Sequence, residues 1–160
     1  MQLQTLGGLA LLGTRFKRPK PLLLLAYLAL EGAYDRRHLA ELFWPGAAEP
    51  MGSLRVALSQ LRAGAPGALA EGARLGAAVE TDAVRLLAEL EAGALAVAVR
   101  GYGGAFLEGF YLAELGAELE EWVYSTREFL AKRVRSALLA FAEGDAAVGD
   151  FRAAARRAQG

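Results

Sequence analysis

Between Asp35 and Arg62 the chain alternates stripe, stop and stripe in a way few folds accommodate. Arg36–Phe43 and Met51–Ala63 each read as a short amphipathic helix, and Trp44-Pro45-Gly46 lies between them. In the first helix Leu39, Leu42 and Phe43 form the inward stripe, with Arg36, Arg37 and Glu41 outside. Asp35 precedes it as an N-cap, a position where a side-chain oxygen satisfies an orphan N–H. Pro45 has no N–H to donate and ends the helix. In the second helix Leu54, Leu58 and Leu61 follow i, i+4, i+7 with Ala57 beside them. Gly64 and Pro66 stop it.

The surroundings are consistent with a small, mainly helical protein. Met1–Leu12 reads as two brief strands about Gly7-Gly8, because glycine readily supplies positive φ. Leu3, Leu9 and Leu11 fall on one face of that pair. A basic run, Arg15 to Lys20, leads to Pro21, which suits a helix's first turn. Leu22–Glu31 is apolar almost throughout and predicts a buried helix closed by Gly32. After the second amphipathic helix, Ala73–Thr81 predicts a strand pair turning at Gly76, anchored by Leu75 and Val79.

From Thr81-Asp82 the pattern becomes helical. Either residue can cap a helix running to about Ala92, and a second short helix is expected over Gly93–Arg100. Arg100–Gly109, with Tyr102 and Phe106, reads as an ordered loop. Ala113 to about Glu143 predicts a long helix whose stripe includes Leu115, Leu119, Trp122, Val123, Phe129, Leu130, Val134, Leu138 and Phe141. Gly144-Asp145 is expected to break it before a last helix, Ala146–Ala158, carrying Phe151. Two segments follow from this, residues 1–81 and 82–160.

Charge divides in a similar place. The formal net charge is +0, but residues 1–65 hold eight basic against four acidic side chains, and residues 66–135 seven against eleven. A basic first part on an acidic middle suggests modules with different partners.

The excluded chemistry is equally informative. There is no Cys, hence no disulfide or thiolate metal site. His38 is the sole His, with no second ligand at metal spacing, so a surface or structural role is expected and no metal. Glu114, Glu118, Glu120 and Glu121 suit the N-terminal end of a helix and need no acid–base role. Gly101, Gly103 and Gly104 follow no strand and precede no Lys-Ser/Thr pair, so they form no phosphate loop. No G-x-S-x-G elbow occurs. No catalytic residue and no cofactor are expected. The longest apolar run, Leu22–Leu30, is far short of a membrane span, and no leader pattern opens the sequence. These features point to a cytoplasmic protein without membrane contact.

Placing Leu54, Leu58 and Leu61 inward turns Gly52, Val56, Ser59 and Ala63 outward, flanked by Arg55 and Arg62 on one side and Ser53 and Gln60 on the other. A short helix of this kind, held by a preceding helix, is the form that enters a DNA major groove. Arg55 and Arg62 suit guanine, Gln60 adenine, and Val56 a thymine methyl. Ser53, near the helix start, suits a phosphate. Arg15, Lys17, Arg18, Lys20, Arg36 and Arg37 would add sequence-independent, salt-dependent affinity. Trp44 is expected to anchor the turn rather than stack on a base.

Several strings in fixed order resemble a known family: Leu6-Gly7-Gly8, Arg18-Pro19-Lys20-Pro21-Leu22, Leu39-Ala40-Glu41-Leu42-Phe43-Trp44-Pro45, Ser53-Leu54-Arg55-Val56-Ala57-Leu58-Ser59-Gln60-Leu61-Arg62, Tyr102-Gly103-Gly104-Ala105-Phe106-Leu107-Glu108-Gly109-Phe110 and Glu120-Glu121-Trp122. The first segment resembles the OmpR/PhoB-type winged helix-turn-helix of SARP-like transcriptional activators. The second resembles the start of their bacterial transcriptional activator domain, an all-α, TPR-like module. The resemblance implies a regulator that binds double-stranded promoter DNA, contacts RNA polymerase and forms a homo-oligomer through its helical tail. Two departures accompany it. The expected wing is short and lacks the aromatic residue usual near its tip, and the helical part is shorter than the family's, as in a fragment of a longer regulator or a truncated relative. The alternative is a helical protein-interaction module whose winged helix does not bind DNA.

Overall fold

The computed structural model describes residues 1–111 and 115–147. It is mainly helical with a small β component. At its centre is α1 (Pro19–Glu31), in which every residue from Pro21 to Leu28 is buried. A helix apolar on all sides must be covered on all sides. Pro19 starts α1, and Gly32, at φ 95°, ends it while its N–H returns to the Leu28 carbonyl at 2.9 Å.

Two small sheets cover α1. In the first, β1 (Gln2–Gln4) lies between β2 (Ala10–Leu11), which is antiparallel to it, and β5 (Glu80–Thr81), which is parallel. In the second, β3 (Leu69–Glu71) and β4 (Leu75–Ala77) form an antiparallel hairpin. The expected turn at Gly76 is therefore corrected. The chain reverses over residues 72–74, and Gly76 lies inside β4 opposite Ala70. A tertiary contact sets this register: Leu75, fully buried, exchanges both backbone hydrogen bonds with Tyr34, at 2.8 and 3.0 Å. Thr81, expected in the same strand pair, instead joins β1.

α2 (Arg36–Phe43) crosses α3 (Pro50–Gly64), and Leu39, Phe43, Leu54, Leu58 and Leu61 fill the space between them and α1. Asp35 caps α2, accepting from the His38 N–H at 2.8 Å.

The remaining helices are α4 (Asp82–Glu91), α5 (Leu95–Gly101) and α6 (Ala117–Ala147). Thr81 is the cap of α4, through Val84 N–H at 3.0 Å. Asp82 instead reaches back across the fold, accepting from Thr5 N–H at 2.7 Å, Thr5 Oγ1–H at 2.6 Å and Leu6 N–H at 3.0 Å. The loop after α5 is ordered, as expected. Gly7 and Gly104 cross so closely that a Cβ on Gly104 would stand 2.8 Å from Gly7 Cα. Leu107 takes φ 52°, a conformation costing about 1–2 kcal/mol in a residue with a Cβ. Its N–H donates to the Thr5 carbonyl at 2.7 Å, and Arg127 donates to the carbonyls of Phe106 and Leu107 at 2.8 and 3.1 Å.

Helix α6 packs on α2, α4 and α5. Two expectations about it are corrected. It continues through Gly144-Asp145, since one glycine costs a long helix only about 1 kcal/mol. Its apolar residues also do not form one buried stripe. Leu119, Val123, Leu130, Val134 and Ala137 are buried, whereas Phe129, Leu138 and Phe141 are exposed, because the neighbouring helices cover one side only. Glu114 and the last expected helix beyond Ala147 lie outside the described residues. No helix among the described residues is long and apolar enough to cross a membrane.

The boundary expected at residue 81 is not a gap in packing. One continuous core runs from Leu3 to Ala137. Across it Tyr27 meets Trp122 edge-on with ring centroids 4.9 Å apart, and Trp122 meets Phe106 at 5.7 Å.

Candidate nucleic-acid interface

The inward stripe of α3 is buried at Leu54, Ala57, Leu58 and Leu61. By the same 3.6-residue geometry Arg55, Val56, Ser59, Arg62 and Ala63 are exposed on the opposite side, and Ser53 and Gln60 are half-buried along one flank. Val56 is 58% exposed, unusual for a branched apolar side chain in a helix with a well-filled inner face.

Three groupings border α3. On the Ser53–Gln60 flank, the first turn of α1 approaches, and Lys20, Trp44, Ser53, Val56 and Gln60 line a depression of about 280 Å³. The Lys20 ammonium lies 5.1 Å from the Trp44 ring centroid, a cation–π distance. Trp44 also packs on Phe43, at 6.0 Å. It anchors the turn, as expected, and holds a cation at the edge of the surface.

At the C-terminal end of α3, Phe16 covers Gly64 so closely that a Cβ there would meet its ring at 2.5 Å. This contact brings Arg15, Lys17 and Arg18 around a groove of about 560 Å³. From the residues alone Gly64 is only a helix stop and Phe16 carries no signal. They are what brings the basic run to α3.

On the remaining side stands the β3–β4 hairpin. Arg62 Nε donates to both carboxylate oxygens of Glu71, at 3.1 and 3.0 Å, and Nη2 adds a third short contact. Hydrogen bonding to Arg62 holds the Glu71 carboxyl below its ordinary range, and the same bond raises the guanidinium. Arg36 Nη1 donates to the Gly72 carbonyl in the hairpin turn at 2.8 Å. Glu71 was not anticipated, because misplacing the turn put it outside the strand pair.

The remaining expected residues divide as follows. Arg55 is exposed, with Nη2 3.7 Å from where a Cβ on Gly52 would stand. Ser53 is half-buried, and its N–H is already bonded to the Glu49 carbonyl at 3.1 Å. Arg37 is exposed on α2 and, among the described residues, shares no hydrogen bond or ion pair with the others. His38 stacks on Tyr34, with centroids 5.1 Å apart. No group of three His, Asp or Glu among the described residues could hold a metal ion.

The outer face of α3 thus carries one apolar and several hydrogen-bonding side chains, bordered by Arg15, Lys17, Arg18 and Lys20 on two sides and by Glu71 and Arg36 at the hairpin. Comparison of the sequence with protein-family models finds no match, and comparison with curated proteins finds no significant relative.

Proposed function

We propose that this chain is a DNA-binding transcriptional regulator that reads double-stranded promoter DNA with the outer face of α3. In this reading α2 and α3 are the helix-turn-helix and β3–β4 the wing of a winged helix like that of SARP-like activators. Helices α4 to α6 open a TPR-like module that serves homo-oligomerisation or regulation, including contact with RNA polymerase, in the cytoplasm. The observation that carries it is the outer face of α3: Arg55, Val56, Ser59 and Arg62 are all exposed on a helix whose inner face is fully packed. Arg15, Lys17, Arg18, Lys20, Arg36 and Arg37 supply the charge for phosphate contact.

Selection of bound duplexes from a random pool at two salt concentrations tests the reading. An enriched sequence, bound with an affinity that falls steeply with salt, is expected. Arg55→Ala with Arg62→Ala should abolish the enrichment. Unchanged affinity of that double variant for every duplex would remove α3 from recognition.

A second reading, a protein-interaction module, is favoured by one feature: Phe129, Leu138 and Leu139 are exposed on α6. Exposed large apolar side chains on one helix suit a partner helix. A protein partner recovered by pull-down, together with no duplex shift at low salt, would select it.

A further inference from the structure

Arg62 is the one arginine on the outer face of α3 with an ion-pair partner among the described residues, and the geometry of that pair decides what the guanidinium can do. Both side chains stay substantially exposed, at 51% and 34%. A guanidinium has five N–H donors in one plane. Glu71 takes Nε–H and one Nη2–H, the side edge of the fork. The other Nη2–H and one Nη1–H remain on the end edge, and the second Nη1–H points back toward Cδ. One N–H from each Nη is the pair that matches guanine O6 and N7 in the major groove.

Glu71 is held firmly enough to act as a support. Its strand register is fixed by the pairing of Glu71 with Leu75, and Leu75 is tied by two backbone bonds to Tyr34. The next residue, Gly72, accepts from Arg36 through its carbonyl. The backbone that carries the carboxylate is thus anchored from α2 and from the strand at once.

Charge adds an independent argument. A carboxylate on a DNA-facing surface repels phosphate and lowers sequence-independent affinity. Paired with it, Arg62 presents almost no net charge to the sugar–phosphate ridge, but keeps its directional donors. Phosphate contact therefore suits Arg55 or Lys17, and base contact suits Arg62.

We infer that Glu71 is a positioning residue: it holds the Arg62 guanidinium by its side edge so that the end edge reads a guanine. The inference rests on the DNA-binding reading and concerns one base pair within it.

The test compares wild type, Glu71→Ala, Glu71→Gln and Arg62→Ala by duplex selection, by titration of a random duplex against salt, and by thermal unfolding. Both Glu71 variants should fold with wild-type Tm and bind random duplex several-fold more tightly, since each removes a negative charge. Preference for G·C should fall roughly tenfold at one position in Glu71→Ala, in line with the loss of one well-aligned bidentate contact. Glu71→Gln keeps one acceptor oxygen and should lose less. Arg62→Ala should lose the same position's preference, and Glu71→Ala added to it should cost nothing more there. Unchanged base preference in Glu71→Ala, or an equal loss at every position, would overturn the inference. So would a wild type that binds duplex with no preferred sequence, although DNA binding itself would stand. A wild type that binds no duplex removes both readings.

Discussion

Around Trp122 and along the outer face of α3 the same chain builds two unlike regions. At Trp122 the rings of Tyr27, Phe43 and Phe106 pack in a chain of edge-on contacts with centroids 4.9 to 5.7 Å apart. Along α3, Arg55, Val56 and Ser59 meet solvent, and Arg62 meets a single carboxylate. The first region joins residues 1–81 to the helices after them. The second lies wholly within residues 1–81 and is bordered by the start of α1 and by the β3–β4 hairpin. The rings at Trp122 therefore belong to the shared core, whereas the outer face of α3 is free to change with little effect on folding.

The largest expected effect tests that division directly. Trp122→Ala should lower unfolding stability by about 3–5 kcal/mol, in one cooperative denaturant transition. A variant in which α4 to α6 unfold while residues 1–81 keep their signal would show two modules that merely touch. Asp82→Ala should cost less, about 1–3 kcal/mol, by orphaning the Thr5 and Leu6 N–H groups. Denaturant midpoints measure it, and an unchanged midpoint would mean the β1 end is held by packing alone.

A pH scan sharpens the same contrast. Burial, with help from Tyr34 and Glu31, pushes the Tyr27 hydroxyl from 10 up to about 12. Because the folded value is the higher one, this contribution to stability is intact below pH 10 and is lost as pH rises toward 12. Tyr27→Phe should flatten the alkaline fall in unfolding free energy. At the Arg62–Glu71 pair the sign is opposite. The Glu71 carboxyl lies below its ordinary value, so its pairing is complete at neutral pH and fails only as pH drops through that lowered value. The effect there should be small, since solvent screens an exposed pair.

The smallest stability change belongs to the outer face of α3. Arg55→Ala with Arg62→Ala should shift stability by no more than about 0.5 kcal/mol, read from thermal unfolding. A larger loss would make these arginines structural and would undercut their assignment to DNA.

The two regions also differ in how far they were legible from residues alone. Helices α2 and α3 were, to within a residue at each end, because their signals are local. Asp35 caps, Pro45 stops, and Leu54, Leu58 and Leu61 repeat at helical spacing. The exposed and buried faces of α3 followed from the same period. The hairpin was not legible. Residues 67–78 are mostly Gly and Ala, with little strand preference, and several glycines compete for the turn. The register came from Tyr34, more than thirty residues away, and the Arg62–Glu71 pair was hidden with it. The mate of β1 was likewise nonlocal. In α6 the spacing of Phe129 and Leu138 was read as burial, but whether an apolar side chain is covered depends on how many neighbours a helix has.

Parallel pairing of β1 with β5 has a consequence for the order in which this molecule assembles. Gln2 reaches Glu80 across 78 positions, and Thr5 reaches Asp82 across 77. A hairpin of β1 and β2 needs only local chain, but its far edge stays vacant until all of α1, α2, α3 and the second hairpin have been made. On a ribosome that edge would emerge early and wait, an adhesive strip exposed to neighbouring nascent chains until residue 80 arrives to close it.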